Sequence, residues 1–265
     1  MLEAAETIGI QVQAGPELFG LLLAFARVTG LLHSAPLVST NNVPVMVRVG
    51  FGAMIVLAIT PVIDVGPEVM TWGPAELGFR VCSELLLGLA MGFAATLLLS
   101  VLDILGTFIG VNSQLAIAMS FDPITNSQQI VTTRLIQVAG FLLFLAADLH
   151  HQVLYGLVDS FAVAPAGTGV LAVGAGPELS MVLSELFLDA MRISMPVVVT
   201  VLVMNLVAAL VTRFAQQMNI YFSVGLPANA AAGLFATGLA IPALATVVYA
   251  RGSSISSLML SMIGG

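Results

Sequence analysis

"LGFRVCSELLLGLAMGFAATLLLSVLDILGTFI" (Leu77–Ile109) is 33 residues of nearly continuous apolar sequence. As a helix it would reach about 50 Å, against about 30 Å of bilayer hydrocarbon. It must therefore tilt or protrude. It also carries charge, at Glu84 and Asp103, where an ionised group facing lipid would cost several kcal/mol. Those groups must face protein or water. Glu84, Gly88, Gly92, Thr96 and Ser100 recur every four residues, a small-residue ridge that lets a second backbone approach closely. The ridge suits either an assembly interface or packing within the chain.

The rest of the chain has the same character. It is 59% hydrophobic and 8% charged, against roughly 25% charged for a soluble globular protein. Five further apolar segments accompany the first: Leu18–Leu32, Val43–Ile63, Leu135–Phe161, Leu179–Phe214 and Ala228–Tyr249. Length and flanks make each a helix, and the fold class is all-α, with about six long, partly broken hydrophobic helices. Asn42 and Pro44 read as the cap and early proline of the second helix. The Gly/Ala/Pro linker Ala164–Glu178 divides the chain into residues 1–170 and 171–265.

Charge narrows the function. All seven basic residues are arginines and the net charge is −7, which argues against nucleic acid as a partner. With six simple spans, Arg48, Arg134 and Arg213 fall toward one side and Arg80, Arg192 and Arg251 toward the other. The positive-inside rule then sets no orientation. Arg27, Arg48 and Asp103 are candidate buried charges. The intramembrane carboxylates Glu84, Asp103, Asp148 and Asp159 suit a proton path or, alternatively, pairing with Arg27, Arg48 or Arg134. "MLEAAETIGIQVQAG" lacks the basic start of a secretory signal peptide. Cys82 is a lone thiol, expected to be packed.

No catalytic constellation stands out. The sequence has no Gly-x-Ser-x-Gly, P-loop or His-Glu-x-x-His pattern. His150 and His151 are adjacent and expected on different helix faces, which makes them a helix-end pair and not a metal-ligand pair. The expectation is a non-enzyme with no cofactor and no metal.

"GVNSQLAIAMSFDP" (Gly110–Pro123) follows the long segment. It is too polar for lipid and too apolar for an ordinary exposed loop. Ile117, Met119 and Phe121 alternate with Ala116, Ala118 and Ser120, which gives a surface of mixed polarity. Gly110 is expected to permit departure from the helix. Asp122 and Pro123 are expected to cap and start the next one.

Five stretches in order resemble the FliR/SctT family of type III secretion export-gate subunits. "ARVTGLLHSAPLVSTNNVPVMVRVGFG" (Ala26–Gly52) is similar to its opening, with Arg27, Pro36, Pro44 and Arg48 in place. "SELLLGLAMGFA" (Ser83–Ala94) resembles its Glu-x-x-x-Gly-x-x-x-Gly helix, and "GTFIGVNSQLAIAMSFDP" its loop ending in Asp-Pro. "LHHQVLYGLVDSFAVAP" (Leu149–Pro165) and "NIYFSVGLP" (Asn219–Pro227) resemble its His-containing segment and its last bend.

The resemblance implies a FliP-like four-helix part followed by a FliQ-like hairpin. It implies assembly with FliP-like and FliQ-like subunits in the flagellar basal body at the bacterial inner membrane. FlhB and FlhA homologues, membrane lipid and unfolded exported proteins are the further implied partners. It makes Gly110, Asn112, Ser113, Gln114, Ile117, Met119, Phe121, Asp122 and Pro123 channel-plug candidates. Ser113 and Gln114 depart from the Met and Gly common in the family's loop. An injectisome subunit of the SctT type, a proton-coupled secondary transporter and an intramembrane enzyme using His150 or His151 are the competing readings. The transporter lacks a visible inverted repeat.

Overall fold

The computed structural model describes residues 15–35, 43–63, 71–116, 130–169, 175–214 and 224–263. All regular structure among them is helical. In chain order the helices are α1 (Pro16–Ser34), α2 (Val45–Ile59, with a 3-10 turn Thr60–Val62), α3 (Pro74–Asn112), α4 (Val131–Ala146), α5 (Leu149–Val163), α6 (Ala175–Phe214), α7 (Leu226–Gly252) and α8 (Ile255–Ser261). Five of them are long and apolar enough to cross a membrane: α1, α2 with its 3-10 turn, α3, α6 through Leu179–Val211, and α7. The bent pair α4 and α5 would make a sixth span. The chain is thus an all-α protein with the helices of a multi-pass membrane protein.

Two boundaries differ from expectation. The fourth apolar segment is two helices bent by 63°. The break falls where the Ala147 and Asp148 amides bond back to the Leu143 and Leu145 carbonyls, and Asp148 adopts φ 55°. That left-handed residue closes one helix before Leu149 opens the next. At α2, Pro44 itself occupies the capping position and no side chain caps the helix. The Pro44 carbonyl accepts from Val47 and Arg48. Asn42 lies outside the described residues.

The helices contribute to two units that interleave along the sequence, one built from residues 1–96, 153–176 and 255–265 and the other from 97–152 and 177–254. In the first unit, α1 supplies Leu23, Ala24, Val28 and Leu31 to the core, α3 supplies Leu87, Met91 and Ala95, and α5 supplies Leu157 and Phe161. The ridge on α3 faces α1 of the same chain. A Cβ at Gly88 would collide with the Arg27 carbonyl, and one at Gly92 would meet the Leu31 carbonyl and the Ala35 amide. Gly30 makes the reciprocal approach to Leu85 and Leu89. Because the backbones nearly touch, side chains bond across them. Thr96 Oγ1 donates to the Ser34 carbonyl at 2.5 Å and Ser34 Oγ to the Leu89 carbonyl at 2.9 Å.

In the second unit, Val101, Leu102, Leu105 and Ile109 of α3 are buried with Ile136 and Phe144 of α4, and α4 packs on α7. Gly106 admits the Thr133 backbone, and Thr132 Oγ1 bonds the Gly106 carbonyl at 3.1 Å. Ser100, the last member of the ridge, bonds its own helix at the Leu97 carbonyl. Much of α6 is uncovered, with Leu202, Val203, Leu206, Val207 and Leu210 exposed. An apolar face of that extent needs lipid or partner helices.

Candidate functional site

The first unit is organised around one buried charge. Arg27 is fully buried in the middle of α1. Its Nε donates to Glu84 Oε2 at 2.6 Å and its Nη2 to Glu84 Oε1 at 3.0 Å. Nη2 also reaches the Ala164 carbonyl at 2.9 Å, and Nη1 reaches the Ser160 carbonyl and hydroxyl at 3.1 and 3.0 Å. A guanidinium has five N–H donors, so these five bonds use every one. The Phe161 ring covers the cation at 4.2 Å. Glu84 Oε1 also accepts the Gly167 amide at 2.8 Å, which ties the segment after α5 to the pair. Nearby, Arg80 donates to the Gly167 carbonyl and lies over the Trp72 ring at 4.1 Å. Among the described residues, Glu84 is the one buried carboxylate.

Asp103, expected as a buried charge, is exposed on this chain and accepts from Gln137. It lies on the side of α3 turned away from the core residues Leu102 and Leu105. Arg48 is partly exposed, and Cys82, expected as a packed thiol, is exposed on this chain.

The end of α3 holds the root of the loop. Gly110 is not where the chain departs: it sits inside the helix, and its missing side chain makes room for Ile130 and Thr132. The helix closes two residues later. Asn112 Nδ2 donates to the Phe108 carbonyl at 2.7 Å and Ser113 Oγ to the Ile109 carbonyl at 2.7 Å, so both polar side chains fold back onto the last turn, the second beside the Ser113 amide's own bond to Ile109. Gln114 then turns the chain at φ 62°. Ser113 is fully buried against Gly233 of α7. The Gln114 amide meets two others: Asn229 Nδ2 donates to Asn205 Oδ1 at 2.5 Å and to Gln114 Oε1 at 3.4 Å, and Gln114 Nε2 reaches Asn205 Oδ1 at 3.5 Å. One amide each from α6, α7 and the end of α3 thus close a polar knot in apolar surroundings. Ile117, Met119, Phe121, Asp122 and Pro123 lie outside the described residues.

A third cluster opens α5. The His150 and His151 rings, expected to diverge, lie 4.1 Å apart between centroids. His151 Nδ1 stands 3.4 Å from Asp148 Oδ1. In the first turn after a break, long side chains are free to fold back together.

Residues 18–253 match the family described as bacterial export proteins, family 1. The chain belongs to that family. Among proteins similar to it is the flagellar biosynthetic protein FliR of Escherichia coli K12, 29% identical and aligned over 89% of this chain and 90% of the relative. The FliR protein of Aquifex aeolicus is 30% identical over 85% of this chain and 86% of its own. That of Caulobacter vibrioides is 28% identical over 85% and 89%. With its membrane-length helices, this export-family chain is a subunit of the flagellar export apparatus.

Two residues of the export protein's amide knot, Asn205 and Asn229, escaped the sequence reading. Each is a lone carboxamide within an apolar span, and a polar side chain so placed needs a partner.

Proposed function

We propose that the chain helps form the channel of the flagellar export gate and that the loop following Gln114 plugs it. On this reading FliP-like and FliQ-like subunits cover its exposed apolar faces in the inner membrane. FlhB and FlhA homologues complete the apparatus, and unfolded flagellar proteins pass through it. Residues 1–170 correspond to the FliP-like part and 171–265 to the FliQ-like hairpin. The chain itself carries out no chemistry. The observation carrying the proposal is the root of the loop. A long apolar helix ends at a left-handed, amide-tethered Gln114, and a segment of mixed polarity follows in a protein of an export family. A plug needs such a fixed root and a surface that repels ions.

The flagellar reading is favoured over the injectisome because the similar relatives are flagellar. A proton-coupled transporter is disfavoured by the carboxylates: Glu84 is bound by Arg27, and Asp103, Asp148 and Asp159 are exposed. The test is deletion of Leu115–Phe121, which spares the amide knot. The assembled complex should form and conduct small ions across a planar bilayer when wild-type complex does not. A properly assembled deletion complex that stays closed would sink the plug assignment.

A further inference from the structure

We propose that Asp148, His150 and His151 form a binding site for a divalent first-row transition ion of the zinc, cobalt and nickel class. Each residue offers one donor atom, and the three donors lie within 4.8 Å of one another. Two donors on one such ion are separated by at most about 4.2 Å, twice a metal–nitrogen bond of about 2.1 Å. The exposed side chains of Asp148 and His151 have the freedom to close that remaining gap. Two imidazoles and a carboxylate are borderline donors, which select this class of ion over magnesium or calcium.

Three independent features point to the same place. Asp148 holds φ 55°, a conformation only Gln114 shares among the described non-glycine residues, and it turns the carboxylate back over the first turn of α5. Nδ1 of His150 is buried with no hydrogen-bond partner among the described residues, which leaves a ring nitrogen in want of one. Leu149, between the acid and the histidines, is buried against Gly252 of α7. That anchor fixes the backbone from which all three donors project, so closing the site needs side-chain rotation alone. The ion would bridge the residue that ends the α4 bend to the helix that follows it. This site is separate from the loop root and does not depend on the plug assignment.

The full-length chain, purified in detergent with a tag free of histidine, is titrated with Co²⁺ and followed by its visible d–d absorption. One equivalent should bind. The chain's third histidine, His33, supplies the control. His150→Ala and His151→Ala should each weaken binding by at least about tenfold, the loss typical of removing even an outer-shell partner, and His33→Ala should leave it unchanged. Equal binding by all variants, or equal loss with His33→Ala, would overturn the site. Should the alanine variants fail to fold, X-ray absorption of the Zn²⁺-loaded wild type decides. Two imidazole shells support the assignment, and one or none refutes it.

Discussion

Glu84→Ala should be among the most damaging single substitutions in this protein. Arg27 would keep three of its five hydrogen bonds, those to Ser160 and Ala164, and lose the two to the carboxylate. The Gly167 amide would lose its acceptor as well. Removing one member of a buried ion pair leaves an uncompensated charge and costs about 3–5 kcal/mol. For a chain of this size, about 2–4 °C of Tm per kcal/mol implies a drop of about 6–20 °C. The double variant Arg27→Met with Glu84→Leu removes both charges but also takes the donor from the Ala164 carbonyl, while the Gly167 amide is orphaned in either variant. The carbonyl costs about 1–3 kcal/mol against about 3–5 kcal/mol for the uncompensated charge, so the double variant should be more stable than Glu84→Ala alone. The assay is the monodisperse fraction on size exclusion after heating detergent-solubilised protein. A single variant within about 1 kcal/mol of wild type, or a double variant less stable than the single, would refute the view that the pair is held by its mutual compensation.

Three other outcomes follow from particular contacts. Gly88→Val drives a side chain into the Arg27 carbonyl and should cost about 1–3 kcal/mol or more, whereas Gly78→Ala, with open space around it, should be neutral or stabilising by up to about 1 kcal/mol; the same heating assay separates them. Asn229→Leu removes the donor shared by Asn205 and Gln114 and should raise small-ion conductance of the assembled complex, with a closed channel arguing against tethering of the loop by the amides. Arg251, bonded to Asp189 at 2.8 Å and Glu185 at 2.5 Å, is partly exposed, so Arg251→Gln should cost only about 1 kcal/mol, read as a Tm shift that shrinks in high salt.

Much of this was legible in the residues. Apolar runs gave six segments because membrane-length helices leave the strongest compositional signal a sequence holds. The four-residue ridge was legible too, but not its target. Periodicity shows that a backbone comes close, not whether it belongs to the same chain. The Asp148 break was legible only in part: Asp148, His150 and His151 interrupt the apolar pattern and the histidines already read as a helix end, but the left-handed turn of a single residue leaves no trace of its own in hydropathy. Gly110 misled for a related reason: a glycine near a helix end serves equally for turning and for packing, and here Ile130 and Thr132 claim its space. Asn205 and Asn229 sit far from Gln114 in sequence, so only the tertiary structure could join the three amides.

The Arg27 network also sets a timetable for biosynthesis. Arg27 lies 57 residues ahead of Glu84 and 137 ahead of Ala164. At about 5–20 residues per second, the carboxylate is made about 3–11 s after the arginine, and the last acceptor about 7–27 s after it. Through that interval α1 is an apolar helix with an unmatched cation near its centre, a poor candidate for committing to lipid by itself. Until α3 arrives to receive it, the first span is therefore held in lipid less firmly than a fully apolar helix of its length would be.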